Sequence, residues 1–157
     1  MVAVAATRGT TTLDRLGVEY ESHPYEHRVK GAAYAASALG IEPARLAKTL
    51  VVAIDGDPAF VLVPGDRELS LKALARLAKA RSAALVEPRD AERLTGYRVG
   101  GISPFGARRA LPVYAESDYL EHERVALNGG ARGLIIELAR DDLLRVLSPT
   151  VGELTEV

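Results

Sequence analysis

Leu69, Leu71, Leu74 and Leu77 recur at helical spacing, with Lys72, Arg76 and Lys79 on the other side, and predict an amphipathic helix. Upstream, the apolar and β-branched runs Thr49 to Ile54 and Ala59 to Pro64 are joined by Asp55-Gly56-Asp57-Pro58, which has the turn chemistry of a hairpin. Thr10 to Leu16 can open a helix ending at Gly17, and Val18 to Tyr25 then alternates as an extended strand. The alanine-rich stretch Ala32 to Leu39 reads as a helix stopped by Gly40, and Pro43 begins a second short helix through Ala47. Lys48 is thereby expected where helix gives way to strand.

In the second half, Ala84 to Glu87 predicts a short strand, Pro88 to Leu94 a helix opened by proline, and Thr95 to Gly106 a glycine-rich loop. Short strands are expected at Leu111 to Ala115, Arg124 to Leu127 and Leu134 to Leu138, followed by a helix over Asp141 to Leu147 with acidic residues in its first turn. Close strand pairs without crossover helices give an α/β (α+β) fold, with a mixed, mainly antiparallel sheet that curls or becomes barrel-like, surrounded by helices. With 157 residues and no linker or repeat, one domain over 1–157 is expected.

Composition narrows the chemistry. Cysteine is absent, which removes disulfides, a cysteine nucleophile and thiolate metal clusters. His23 and His27 have the spacing of a helical metal pair, but Pro24 lies between them in an extended segment, so no metal is expected. The apolar runs are too short to span a bilayer and the first residues lack a signal-peptide core, which predicts a soluble cytoplasmic protein. A net charge of −1 means that any nucleic-acid contact must come from a local patch. Arg28, Lys30, Arg45, Arg108 and Arg109 are candidates for phosphate contacts, and equally for a solvated surface.

The segment Thr95 to Gly106 holds four glycines and one proline in twelve residues. Its amides can converge on an anion as an oxyanion hole, or the glycines can serve a tight structural loop. Ser103 is not in a Gly-x-Ser-x-Gly elbow, and the Gly-Lys-Ser/Thr ending of a P-loop is missing, so neither a serine nucleophile nor ATP is implied. Lys48, just before an apolar strand, is either a snorkelling edge residue or a cation directed into a pocket.

Read in order, Lys48-Thr49-Leu50, Gly100-Gly101-Ile102-Ser103-Pro104-Phe105-Gly106, Leu111-Pro112 and Gly129-Gly130-Ala131-Arg132-Gly133-Leu134 resemble the YbaK/EbsC family of aminoacyl-tRNA deacylases. The resemblance runs from about Thr11 to Leu147. It implies a trans-editing ester hydrolase acting on mischarged tRNA, with Cys-tRNA(Pro) or another small amino acid on tRNA(Pro) as substrate and no cofactor. It is related to the editing insertion of prolyl-tRNA synthetase, a possible partner.

By the same resemblance, Lys48 is the catalytic lysine, and the Gly-x-x-x-Pro motif falls on Gly100 to Pro104. Gly100 and Gly101 would then face the ester carbonyl, where a methyl group on Gly101 would crowd it. Tyr25, Thr49, Ile102, Ser103, Pro104, Asn128, Gly129 and Ile135 are the expected substrate-binding set. Asn128 and Ile135 depart from the serine and aspartate of the cysteine-specific pattern, which points to a sieve based more on size than on polarity. A tRNA- or synthetase-binding module without catalysis is the alternative.

Overall fold

The computed structural model describes residues 5–156. Its elements run α1 (Arg8–Arg15), β1 (Tyr20–Pro24), α2 (Ala32–Leu39), β2 (Ala47–Ile54), β3 (Asp57–Pro64), α3 (Leu71–Leu77), β4 (Ala83–Leu85) and α4 (Pro88–Thr95). They continue with β5 (Val113–Glu116), β6 (Arg124–Asn128), β7 (Leu134–Ala139), α5 (Arg140–Leu147) and β8 (Thr150–Gly152).

The β2–β3 hairpin is longer than its sequence suggests. Asp55 and Gly56 both take positive φ, 48° and 87°, so they alone form the turn and Asp57 already pairs with Ile54. Two-residue turns of this hand match the twist of the flanking strands. The Asp55 carboxylate accepts the amides of Arg81 and Ser82, which ties the turn to the chain leading into β4.

Strands form two sheets, in the orders β1-β7-β6 and β4-β2-β3-β5-β8. Pairings are antiparallel except β3–β5 and β5–β8. A single parallel bridge between Leu46 and Ala126 joins the two sheets, so the structure is mixed and curled but is not a closed barrel. β3 is buried on both faces. Phe60 and Leu62 enter a core shared with β6, β7, α1 and α5, while Val61 and Val63 pack with Leu74 of α3 and with Leu154. Period-two alternation on a strand covered on both sides explains its unbroken apolar sequence.

Several expectations need correcting. The second short helix is one 3₁₀ turn, Pro43–Arg45, so Lys48 is the second residue of β2, opposite Val63. α1 begins earlier, at Arg8, because Thr7 caps it in a reciprocal capping box with Thr10. β1 ends at Pro24, leaving Tyr25 and His27 beyond the strand. β8 carried no sequence signal. It exists because β5 offers a free edge, to which Thr150–Gly152 adds in parallel.

Candidate active site

The glycine-rich segment after α4 folds back on itself. Tyr97 donates its hydroxyl to the Phe105 carbonyl at 2.5 Å, the Gly101 amide donates to the Arg98 carbonyl at 2.8 Å, and the Arg108 amide returns to the Thr95 carbonyl at 2.8 Å. Burial pushes the Tyr97 phenol up to about 12, against the opposing charge of Arg8, so the hydroxyl keeps its proton for this bond at neutral pH. A second glycine loop, Gly129 to Gly133, links β6 to β7.

Asn128 joins the two loops. Its Nδ2 donates to the carbonyls of Gly100 and Ala131, each at 3.1 Å, and its Oδ1 accepts the amides of Gly130 at 2.6 Å and Ala131 at 3.1 Å. Arg132 adds a bond from Nε to the Val99 carbonyl at 2.9 Å. The Val99 and Gly100 carbonyls on the approach to Gly101 are thus held by Arg132 of the second loop and by Asn128 at the end of β6.

Against these loops opens a cavity of about 390 Å³ whose lining includes Tyr25, Lys48, Thr49, Gly100, Ile102, Asn128 and Ile135. Its walls are mostly apolar, with Ala32 and Ala35 of α2, Leu46, Leu50 and Val51 among them. Small alanines on α2 leave the space that larger side chains would fill. Ile135 is 3% exposed and pairs with Asn128 across β6 and β7, packed with Ala35, Ala36, Ile41, Leu46 and Ala126.

Polar atoms in this region are sparse and unevenly satisfied. The Thr49 hydroxyl and the His27 Nδ1 are buried with no hydrogen-bond partner. The amides of Gly100 and Ile102 donate to no acceptor among the described residues. Lys48 is held by one ion pair, Nζ to Glu68 Oε1 at 3.3 Å, and Glu68 is 79% exposed. Such a solvent-facing pair is weak, so the cation is easily shared with a ligand. Burial pushes the Tyr25 phenol up.

Four expected site residues do not line the cavity. Ser103 is fully buried and its Oγ accepts the Phe105 amide at 3.2 Å, so it braces the loop. Pro104 is buried beside it. Gly129 donates its amide to the Leu134 carbonyl at 3.0 Å. Gly101 spends its amide on Arg98, and a Cβ there would sit 2.8 Å from the Ala131 carbonyl carbon and the Arg132 nitrogen. Glycine is therefore required at 101 for packing of loop on loop, and the cavity-lining residues of this loop whose amides have no acceptor among the described residues are Gly100 and Ile102. Linear spacing had no signal for Asn128 as a clamp or for the orphaned His27 nitrogen, since Asn128 acts on Gly100, 28 residues away in sequence, and His27 comes to lie beside the same distant glycine.

His23 does not pair with His27. Its Nε2 lies 3.0 Å from Glu137 Oε1, and Glu21, His23 and Glu137 form a group of potential metal ligands. Arg45 and Arg124 already occupy the Glu137 carboxylate at 3.0 and 3.3 Å. Burial pushes this carboxyl up, but the His23 bond and the two guanidinium charges outweigh it and hold it below the usual range. The donor set is that of an ion-pair network. Arg28 is likewise paired, with Glu26 at 2.9 Å, while Lys30 lies at the cavity.

The profile of the aminoacyl-tRNA editing domain matches residues 26–146, which contain Lys48 and both glycine loops. The chain belongs to this family. Among relatives of the editing domain, a protein of Enterococcus faecalis that carries the provisional name Cys-tRNA(Pro)/Cys-tRNA(Cys) deacylase EbsC is 34% identical over 138 residues, covering 87% of this chain and 84% of that one. The proline-tRNA ligase of Caldicellulosiruptor bescii is 37% identical over 94 residues, 59% of this chain, but the match spans just 16% of the ligase. A crystal structure described as a provisional trans-editing enzyme for prolyl tRNA synthetase superposes with a TM-score of 0.85 at 27% identity, covering all of both chains. Among the described residues of the editing domain, no helix is long and apolar enough to cross a membrane.

Proposed function

We propose that this editing domain acts in trans as an aminoacyl-tRNA deacylase, removing cysteine or another small amino acid from mischarged tRNA(Pro). The observation that carries the reading is that Lys48 and Gly100, 52 positions apart in the sequence, line one small apolar cavity. In the reaction, the acyl C–O bond to the ribose breaks, an oxygen or sulfur nucleophile takes the carbonyl carbon, and a proton passes to the departing ribose oxygen. The Lys48 ammonium and the uncommitted amides of Gly100 and Ile102 stabilise charge on the ester oxygen as it develops. An aminoacyl ester is already activated, so preorganised donors in a mostly apolar cavity lower its barrier without a protein nucleophile.

The amino-acid end of the cavity is bounded by Ile135 and by small alanines, and Thr49, whose hydroxyl is buried without a partner, belongs to the same lining. A site of this kind selects by fit, and one methylene in such a pocket is worth about 10-fold to 200-fold. Alanine and serine therefore enter alongside cysteine, and proline itself is released more slowly. A prolyl-tRNA synthetase is the natural protein partner for such an activity, because it produces the substrate.

The test is a panel of tRNA(Pro) charged with cysteine, alanine, serine or proline, incubated with purified protein while the remaining ester is followed. Release of the small amino acids well above spontaneous hydrolysis is expected. Tight tRNA binding with no release would favour the non-catalytic binding module instead. A preference for cysteinyl-tRNA above about a thousandfold would exceed what a size sieve achieves and overturn the specificity reading.

A further inference from the structure

The first turn of α1 is welded to both glycine loops. A Cβ on Gly106 would lie 2.7 Å from the Arg8 carbonyl carbon and from Thr12 Oγ1, and one on Gly9 would lie 2.6 Å from the Gly129 oxygen. Thr7, the cap of α1, also donates its hydroxyl to the Gly129 carbonyl at 2.5 Å. This contact brings two cations together. Arg8 Nη1 and Arg108 Nε lie 2.5 and 3.6 Å from one point, the position a Cβ would take on Gly96.

Neither guanidinium is within ion-pair distance of a carboxylate among the described residues, and neither are those of Arg15 and Arg109 next to them; Arg76, Arg81, Arg89, Arg98 and Arg132 are unpaired as well, but the two that meet at Gly96 stand beside a groove. Beside them a groove of about 540 Å³ is lined by Thr7, Arg8, Thr11, Thr12, Arg15 and Gly106. Like charges gathered without a counterion, in a chain whose net charge is −1, form a local anion-attracting field rather than a share of a global one. Planar guanidiniums and hydroxyls are the donors that suit phosphate oxygens.

We propose that Arg8 and Arg108, flanked by Arg15 and Arg109, bind a backbone phosphodiester of the RNA whose aminoacyl end occupies the Lys48 cavity. This rests on the deacylase reading for what fills the cavity. The Gly100–Gly106 loop spans the two sites: Gly100 and Ile102 face the cavity, and Gly106 lines the groove. Six residue steps reach at most about 21 Å, a distance covered by a few nucleotides of extended strand. A single polyanionic strand is long enough to reach both sites, which a free phosphate ion is not.

The experiment measures binding of uncharged tRNA(Pro) by filter retention across a potassium chloride series, and in parallel the KM and kcat for its mischarged form. Arg8 and Arg108 are both exposed, so Arg8→Gln and Arg108→Gln are expected to fold normally, as circular dichroism would verify. Each should weaken tRNA binding about tenfold, as loss of a charge-assisted contact does. Each should also lower the slope of log K against log salt by about one. KM should rise with kcat within about twofold. Arg145→Gln removes the same charge from α5 and should change neither. Unchanged affinity and slope in the Arg8→Gln/Arg108→Gln double variant, or an equal effect of Arg145→Gln, overturns the phosphate site. Because binding is read without chemistry, the two proposals fail separately. A protein that binds tRNA through these arginines and releases no amino acid loses the deacylase reading alone.

Discussion

Glu116 and Thr49 are both polar side chains drawn into the interior, and the protein treats them in opposite ways. Glu116 is 1% exposed, and one of its oxygens accepts the amides of Leu154 and Thr155 and the Thr155 hydroxyl at 3.0 to 3.1 Å. Burial pushes its carboxyl up, but these donors outweigh that and hold it below the usual range. Thr49, in the cavity wall, has a buried hydroxyl with no partner. A buried polar group that is fully bonded anchors structure, whereas one left unbonded costs stability and persists where a ligand completes it. The C-terminal segment shows the bonded case, and the wall of the Lys48 cavity holds the unbonded one.

The sharpest way to break this contrast is Lys48→Ala. Its ion pair with exposed Glu68 contributes little to the fold, so the melting temperature should hold within about 4 °C, since surface pairs are worth roughly 0 to 1 kcal/mol. Deacylation should fall about 100-fold to 1000-fold, the effect of removing one electrostatic donor. Normal turnover in this variant would remove Lys48 from the mechanism.

Glu116→Ala should do the reverse. Stranding the Leu154 and Thr155 amides should cost about 2 to 4 kcal/mol in urea unfolding. Turnover per folded molecule should stay the same. The native protein offers a pH counterpart. Because the Glu116 and Glu137 carboxyls are depressed in the fold, they contribute stability that is present above the ordinary carboxylate range and is lost as pH falls through it. A Glu116→Gln variant should show a shallower acid limb in its stability profile, and an unaltered limb would mean that other groups govern acid unfolding.

Gly101→Ala tests a residue that moved from one side of the comparison to the other. From the sequence, a methyl group there was expected to crowd the ester carbonyl. In the fold it meets the backbone of Ala131 and Arg132 at 2.8 Å, so the loops must separate. Overpacking of this kind costs about 1 to 3 kcal/mol. Thermal melting should register the loss, and single-turnover rates of the folded fraction should fall by less than in Lys48→Ala.

The smallest expected effect is the most specific. Thr49→Val keeps shape and deletes the unpaired hydroxyl, so it should leave stability unchanged or raise it by up to about 1 kcal/mol while raising KM for the small aminoacyl-tRNAs. A loss of stability would mean that the hydroxyl is satisfied within the protein.

Much of the fold was legible in the chain. The β2–β3 hairpin followed from apolar β-branched runs around Asp55-Gly56-Asp57-Pro58, α3 from its leucine spacing, and α4 from Pro88 at its start. These are local decisions, in which backbone propensity and a few neighbours set the outcome. Lys48, Thr49 and the glycine segment also stood out in the sequence, because family motifs preserve residue identity in order.

What each of those residues touches was settled by contacts between distant segments. Gly101 and Ser103 became supports because the Gly129–Gly133 loop and the buried Phe105 occupy the space around them, and Asn128 became a clamp because Gly100 arrives within 3.1 Å of it. β8 formed on the edge of β5, and Arg8 met Arg108 across Gly96. Sequence patterns record which residues lie on one face of one element. Which loop meets which, and hence which amide or cation remains free, depends on how the two sheets pack through their shared core, and that is a property of the whole fold.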